Sequence, residues 1–137
     1  MQNRKETVRK FYEAIWNNAD KTVIPELLTE DFLFRGSLGL MQRGHHGFAN
    51  YMEQVRNAIG EYRCEIVDMV AEDDKVCTRM LYSGIHRGEL FGYAPTLGRI
   101  KWDGVAIFTF QDEKIAELWV LWDVNDVMKQ LARYVMD

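Results

Sequence analysis

The spacing of apolar residues predicts the helices of the chain. Between Glu6 and Asn18 apolar side chains recur every three or four residues, which is typical of a helix with one buried stripe. The stripe consists of Val8, Phe11, Tyr12, Ile15 and Trp16. The same spacing predicts a helix over 47–59 and a last amphipathic helix over 127–136. Asp20 is placed to cap a short second helix, with Pro25 near its start.

A different pattern begins after Gly60, where β-branched and aromatic residues alternate with polar ones. This pattern predicts strands over 62–71, 76–89, 99–110 and 114–123. The stretches EDDK and QDEK between them are short enough for hairpin turns, so the first two strands and the last two are expected to pair antiparallel. An earlier short strand, EDFLFRG, is followed by a loop rich in glycine and histidine.

Helices followed by a meandering antiparallel sheet are typical of an α+β domain. We expect a single domain over residues 1–137, in which a strongly twisted sheet curls over the N-terminal helices as a half-barrel with a pocket inside. Both faces of the last strand are apolar, one with Trp119 and Leu121 and the other with Leu118, Val120 and Trp122. An antiparallel sheet normally leaves one face in water, so this pattern predicts a homodimer that packs through the outer face of the sheet.

Composition narrows the class of protein. The hydrophobic fraction of 47% and the charged fraction of 28% are those of a globular protein. No apolar stretch approaches the roughly 20 residues of a membrane-spanning helix, and the polar start lacks the apolar segment of a signal peptide, so a cytoplasmic protein is expected. The net charge of −4 and the scattered basic residues argue against nucleic acid as a partner. Cys64 and Cys77 are expected to be free thiols.

Sequence motifs exclude several kinds of chemistry. The chain has no glycine-rich phosphate loop, no dinucleotide-binding fingerprint and no Gly-x-Ser-x-Gly elbow, so nucleotide binding and serine hydrolysis are not expected. His45 and His46 have neither a helical partner four residues away nor a nearby cysteine at ligand spacing. We therefore predict neither a metal site nor a cofactor.

The main candidate for chemistry is Asp123, the acid that ends the apolar stretch ELWVLWD. If Asp112 and Glu113 form the tip of the last hairpin, the register places Trp102 beside Asp123. The same face would then carry Ala106, Phe108, Trp119 and Leu121. Loss of hydration there would raise the pKa of the Asp123 carboxyl group toward the range useful for proton transfer at neutral pH. The alternative is that Asp123 caps the last helix, a role for which Asn125 and Asp126 are also available.

Further side chains are candidates for the pocket. As a neutral imidazole in mid-strand, His86 is suited to donating a hydrogen bond to an enolate, and the alternative is a structural histidine. Tyr51 and Met52 belong to the stripe of the third predicted helix, and most such residues fill the core. Arg35 and Arg79 are the cations most suited to binding a substrate oxygen, although exposed ion pairs are the more usual role.

The order of motifs resembles that of the SnoaL-like polyketide cyclases. The shared features in the second half are SGIHRGELFG, a Pro-Thr-x-Gly turn, Glu-x-Trp-x-x-x-Asp and a final Gln-Leu; in the first half they are VRKFYEAIWN and YRCEIVDMVAEDDKV. The resemblance covers nearly the whole chain. It implies the cone-shaped α+β fold shared with ketosteroid isomerase and nuclear transport factor two, usually as a dimer.

The resemblance also implies a chemistry. An aspartate at the position of Asp123 would act as general acid and base in an intramolecular aldol closure without metal or cofactor, and the family pattern often directs the position of His86 toward the cavity. The chain departs from the best-known cyclases, which carry an assisting histidine on the neighbouring strand, because residues 99–110 contain none.

These patterns predict a cofactor-independent lyase of cyclase or isomerase type. It would transfer a proton on a small, mostly apolar carbonyl compound related to polyketides or terpenoids, with Asp123 and His86 as catalytic residues. The predicted substrate-binding side chains are Trp102, Trp119, Tyr51, Met52, Phe108 and Arg35. One alternative is a non-catalytic small-molecule-binding module of the same fold. Another is an epoxide or ester hydrolase, which would need a second carboxylate such as Asp103 or Glu117 beside a water molecule.

Overall fold

The computed structural model of the chain describes residues 3–38 and 41–136. Its helical segments are α1 (Arg4–Lys10), a π-helical continuation (Phe11–Asn17), a 3-10 turn (Lys21–Val23), α2 (Ile24–Leu27), α3 (Gly44–Ala58) and α4 (Val124–Met136). The strands are β1 (Leu28–Arg35), β2 (Met41–Arg43), β3 (Ile59–Glu72), β4 (Lys75–His86), β5 (Arg99–Gln111) and β6 (Lys114–Trp122). No described helix is both long and apolar enough to span a membrane.

The strands form one curved, open sheet in the order β2-β1-β6-β5-β4-β3. The antiparallel meander from β3 to β6 confirms the predicted hairpins. β1 adds to β6 in parallel, and β2, which lies in a stretch predicted to be a loop, pairs antiparallel with β1. The sheet wraps around the N-terminal helices, so the predicted α+β half-barrel is confirmed.

The core lies between the concave face of the sheet and the helices. The predicted stripe of the first helix is buried along its whole length, from Val8 to Trp16. Asn3 caps α1 by accepting from the Lys5 N–H at 2.9 Å, and the Asp20 side chain accepts from the Thr22 N–H at 3.0 Å, as predicted for a cap. Residues of α3 and the inward positions of each strand complete the core.

A β-bulge decides which side chains of β6 face the core. The hairpin begins with the predicted pair of Gln111 and Lys114, but Ala116 is then left without a partner, and Thr109 pairs with Glu117. Side chains alternate along a strand, so this shift of one residue exchanges the two faces of β6 relative to the prediction.

The consequence is visible in the burial of β6. Leu118, Val120 and Trp122 are buried, whereas Trp119 and Leu121 are 46% and 55% exposed on the outer face. The prediction that Trp119 and Leu121 share a face with the inward residues of β5 is therefore wrong. Val105 and Ile107 of β5 are their direct cross-strand neighbours. We call these four residues, Val105, Ile107, Trp119 and Leu121, the outer apolar patch.

Helix α4 closes the sheet beside the start of β5, where β6 no longer pairs with it. The Gln130 side chain accepts from the Lys101 N–H at 3.2 Å and donates to the Lys101 carbonyl at 2.7 Å. The Tyr134 hydroxyl donates to the Arg99 carbonyl at 2.8 Å. Side chains of α4 thus satisfy backbone groups that a neighbouring strand would otherwise pair.

Candidate functional site

The concave side of the sheet encloses a small cavity beneath the π-helical segment and α3. Eight of its eleven lining residues are aromatic: Phe11, Tyr12, Trp16, Phe34, Tyr51, Tyr62, Tyr82 and Trp122, together with Cys64, Leu118 and Val120. The volume of the cavity is about 10 Å³, which is room for about one water molecule. A ligand larger than water therefore enters only if aromatic side chains move.

The π-helical segment brings Phe11, Tyr12 and Trp16 to the cavity. The Asn18 N–H donates to the carbonyl of Glu13, five residues earlier, at 3.0 Å, which is the wider turn of a π-helix. The side chain of Asn17 then donates to the Cys64 carbonyl at 3.0 Å and accepts from the Cys64 N–H at 2.8 Å. These two hydrogen bonds fix the segment on β3. π-helical turns are frequent at functional sites.

Two tyrosines from neighbouring strands form the opposite wall. The rings of Tyr62 on β3 and Tyr82 on β4 lie 6.2 Å apart between centroids and 2° from parallel. The Tyr82 ring packs against Gly104 of β5, where an added Cβ atom would lie 2.6 Å from Tyr82 Cε2. The close approach that glycine allows at this position therefore keeps the Tyr82 ring in the wall of the cavity.

The polar groups of the cavity are neutral at physiological pH. Burial raises the pKa values of Tyr12, Tyr62 and Tyr82, and it raises the pKa of Tyr51 to about 12. Burial also raises the pKa of the Cys64 thiol to about 12. The cavity thus offers hydrogen-bond donors, and the described residues that line it include no carboxylate and no imidazole.

The predicted placement of Asp123 in an apolar hollow is wrong. Asp123 is exposed, and its Oδ1 accepts from the Asp126 N–H at 3.1 Å at the start of α4. Its carbonyl accepts from the Val127 N–H at 3.2 Å, the first bond of the helix. The bulge at Ala116 moved Asp123 away from the face of Trp102. Asp123 is the N-cap of α4, which is the alternative that the sequence left open.

We expect substitutions of Asp123 to separate a capping role from a catalytic one. Asp123→Ala removes the oxygen that accepts from Asp126, so it should lower the free energy of unfolding by about 0.5–2 kcal/mol in urea denaturation. Asp123→Asn keeps a good cap and should change neither stability nor turnover by a measurable amount. A loss of turnover of about a hundredfold or more in Asp123→Asn would instead show general acid–base catalysis.

His86 lies on the inward face of β4, but its imidazole bonds to Thr96 in the loop that follows the strand. The imidazole is fully buried, and its Nδ1 accepts from the Thr96 N–H at 3.2 Å, with Thr96 Oγ1 at 3.0 Å. Burial lowers the pKa of His86, so the ring is neutral with its proton on Nε2. His86 does not line the cavity described above, and its predicted catalytic role stays a prediction.

The six predicted substrate-binding residues are divided between three places. Tyr51 lines the cavity. Met52, Phe108 and Trp102 are buried behind it, Trp102 with its ring 5.8 Å from Tyr82 and 4.9 Å from Trp122. The remaining two, Arg35 and Trp119, lie together on the outer face, where the Arg35 guanidinium sits 4.7 Å from the centre of the Trp119 indole.

The other predicted chemistries find no support in the arrangement of side chains. Asp103 is exposed and Glu117 is half-buried, and neither lines the cavity. Arg79 is exposed and paired with Asp68. In the part of the chain that the structure describes, no three histidine, cysteine or acidic side chains come together in a way that could hold a metal ion.

Most of the residues that line the cavity were not predicted from the sequence to do so. Tyr62 and Tyr82 occupy inward positions of predicted strands, so their alternation with polar neighbours was the available signal. Val120 and Trp122 were assigned to the wrong face because the bulge was not foreseen. Tyr12 and Trp16 were recognised as buried, but the pattern of a helix does not separate residues that line a cavity from residues that fill a core.

Comparison with known proteins agrees with the fold. Among solved structures, AclR of Streptomyces galilaeus, described as a candidate hydroxylase, is 25% identical, with 95% of this chain and 96% of that chain covered and a TM-score of 0.79. IdmH of Streptomyces antibioticus, described as a candidate polyketide cyclase, is 21% identical over 96% of this chain and 99% of that one, with a TM-score of 0.83.

A third structure, a protein of Catenulispora acidiphila with a ketosteroid isomerase-like fold, is 15% identical over 93% of this chain and 92% of that one, with a TM-score of 0.79. These likenesses confirm the cone-shaped fold. No curated protein matches the chain. The family model of SnoaL-like polyketide cyclases matches residues 6–131. The chain, with its aromatic cavity inside that cone, therefore belongs to the SnoaL-like polyketide cyclase family.

Proposed function

We propose that this protein binds a small, flat, mostly apolar carbonyl compound in the aromatic cavity and acts on it as a cofactor-independent enzyme of cyclase or isomerase type. The observation that carries the proposal is the cavity itself, whose walls are aromatic rings with a few neutral polar groups. Apolar clefts with few polar groups are the usual form of small-molecule sites. Membership in a family of polyketide cyclases supports the choice of reaction type.

The nature of the walls supports the class of ligand. Aromatic side chains such as Trp16, Tyr62 and Trp122 prefer stacked or edge-to-face contacts with other flat rings. A charged ligand would lose its hydration in this cavity without meeting an opposite charge, which costs several kcal/mol or more in an apolar site. A neutral ring system with a carbonyl group can use both the apolar walls and the phenol hydroxyls.

Proton exchange next to a carbonyl group provides the test. In deuterated buffer, the purified protein should bind 1-tetralone or the terpenoid ketone carvone and exchange their α-protons about a hundredfold or more faster than buffer alone, as followed by NMR. Binding is followed separately through the fluorescence of Trp16 and Trp122, which line the cavity. Failure of both ketones to bind would contradict the proposal.

Binding without turnover is a second candidate function. The missing carboxylate and imidazole among the described lining residues favour it, because enolisation needs a group that accepts the α-proton. In that case the ketones bind and quench tryptophan fluorescence, but their α-protons exchange no faster than in buffer. The exchange experiment therefore distinguishes the two functions in one sample.

The partner that we propose for the outer face is a second copy of the chain. The outer apolar patch is continuous, since Ile107 pairs with Trp119 and Val105 with Leu121 across β5 and β6. Each of these four side chains is between 41% and 55% exposed. Charges of both signs surround the patch, including Arg35 and Asp103, which suits an interface whose two halves are identical.

A further inference from the structure

Two buried hydroxyl groups of the cavity have no hydrogen-bond partner among the described residues. Six buried side-chain polar atoms lack a partner in this part of the chain, and only the hydroxyls of Tyr12 and Tyr82 belong to residues that line the cavity. Tyr12 is 4% exposed and Tyr82 is 2% exposed, so bulk water does not serve them. A buried polar group without a partner is destabilising, which makes this pair the best candidate for binding a ligand atom.

The fold brings the two hydroxyls together from opposite sides. Tyr12 projects from the π-helical segment, with its ring 5.8 Å from Phe108 of β5, and Tyr82 projects inward from β4. Hydrogen bonding by the side chains of Tyr82 and Thr78 acts on the pKa of Tyr12, so the three hydroxyls lie close together, although no contact between them has the geometry of a full hydrogen bond. Thr78 lies on the same inward face of β4, four residues before Tyr82.

We infer that the hydroxyls of Tyr12 and Tyr82 form the site that binds the carbonyl oxygen of the ligand. This inference rests on the proposed function, since it gives two hydroxyl groups of the same cavity a role in binding the ligand. Both phenols are protonated at neutral pH and can donate, and a carbonyl oxygen has two lone pairs that can accept from both. The rest of the ligand would lie against the aromatic rings that line the cavity, among them Trp16 and Trp122.

Two hydrogen bonds donated to the carbonyl oxygen would also favour enolisation of the ligand. Charge that develops on the oxygen during enolisation strengthens both hydrogen bonds, and in a site that excludes water such donors stabilise the transition state more than they would in solution. No proton needs to leave either phenol for this effect. Tyr12 and Tyr82 would thus polarise the carbonyl group, and because the described lining residues include no carboxylate and no imidazole, the α-proton would pass to water.

A pair of ligands tests the assignment. 1-Tetralone and tetralin share a flat bicyclic skeleton, but only 1-tetralone has the carbonyl group. Tyr12→Phe and Tyr82→Phe should each weaken 1-tetralone binding about tenfold and leave tetralin binding unchanged. The infrared band of the bound carbonyl group, shifted to lower frequency in the wild type, should move back in both variants. Tyr93→Phe, outside the cavity, is the control and should alter neither ligand.

Each result supports or overturns the assignment. If the variants lose the same affinity for 1-tetralone and for tetralin, or lose affinity for neither, the assignment is overturned while the cavity remains a ligand site. Failure of both compounds to bind the wild type would contradict the proposed function and this site together. A ligand-free measurement adds a further check: without a partner to lose, Tyr12→Phe should leave the melting temperature unchanged or raise it. A clear fall would show that the Tyr12 hydroxyl is already paired, which would overturn the assignment.

Discussion

Val120→Phe is expected to weaken ligand binding in the interior cavity about a hundredfold while the protein still folds. Val120 lies in the cavity wall on the inward face of β6 and is 8% exposed. The volume of the cavity is only about 10 Å³, so an added ring occupies the space that a ligand must open. If displacing that ring costs about 3 kcal/mol, at the upper end for overpacked cores, 1-tetralone should bind about a hundredfold more weakly. Fluorescence titration measures the loss.

Leu121→Phe is the matched control because the next residue on the same strand faces outward. Leu121 is 55% exposed, so a larger apolar side chain there should leave both ligand binding and α-proton exchange unchanged. Overpacking by Val120→Phe should lower the free energy of unfolding by about 1–3 kcal/mol, and circular dichroism shows whether the fold is retained. Full ligand affinity in folded Val120→Phe would place the binding site elsewhere.

The N-terminal helix shows what apolar spacing can and cannot predict. The spacing between Glu6 and Asn18 predicted a buried stripe, and all of its residues are buried, from Val8 to Trp16. The same spacing did not reveal that residues 11–17 form a π-helical segment. The segment ends in hydrogen bonds between Asn17 and Cys64, which are 47 positions apart in the chain. A long-range contact of this kind leaves no periodic signal in the local sequence.

The last strand shows how one residue changes the assignment of a site. The positions of β5 and β6 were predicted almost to the residue, and so was the first pair of their hairpin. The bulge at Ala116 nevertheless reversed the faces beyond it, which removed Asp123 and Trp119 from the interior and placed Val120 and Trp122 there. Both faces of β6 are apolar, so hydrophobic pattern alone did not specify the register.

Trp119→Glu is expected to convert the proposed homodimer into monomers. Trp119 lies in the outer apolar patch beside Ile107, and large aromatic residues at the centre of an interface carry much of its binding energy. The substitution removes that contact and would bring a carboxylate, with Arg35 beside it, into an apolar interface, where loss of hydration is costly, so the dissociation constant should rise about a hundredfold or more. Light scattering coupled to size-exclusion chromatography should give twice the chain mass of 16.1 kDa for the wild type and 16.1 kDa for the variant.

Leu97→Glu makes a comparable change at a site away from the sheet face. Leu97 lies in the loop between β4 and β5 and is 70% exposed, so a carboxylate there remains in water and the dimer should persist. A dimer that depends on the outer apolar patch also unfolds at a temperature that rises with protein concentration, because association stabilises the folded state by mass action. Trp119→Glu should remove that concentration dependence, whereas Leu97→Glu should retain it. A wild-type mass of one chain at micromolar concentration would contradict the dimer, and the outer apolar patch would then need a different partner.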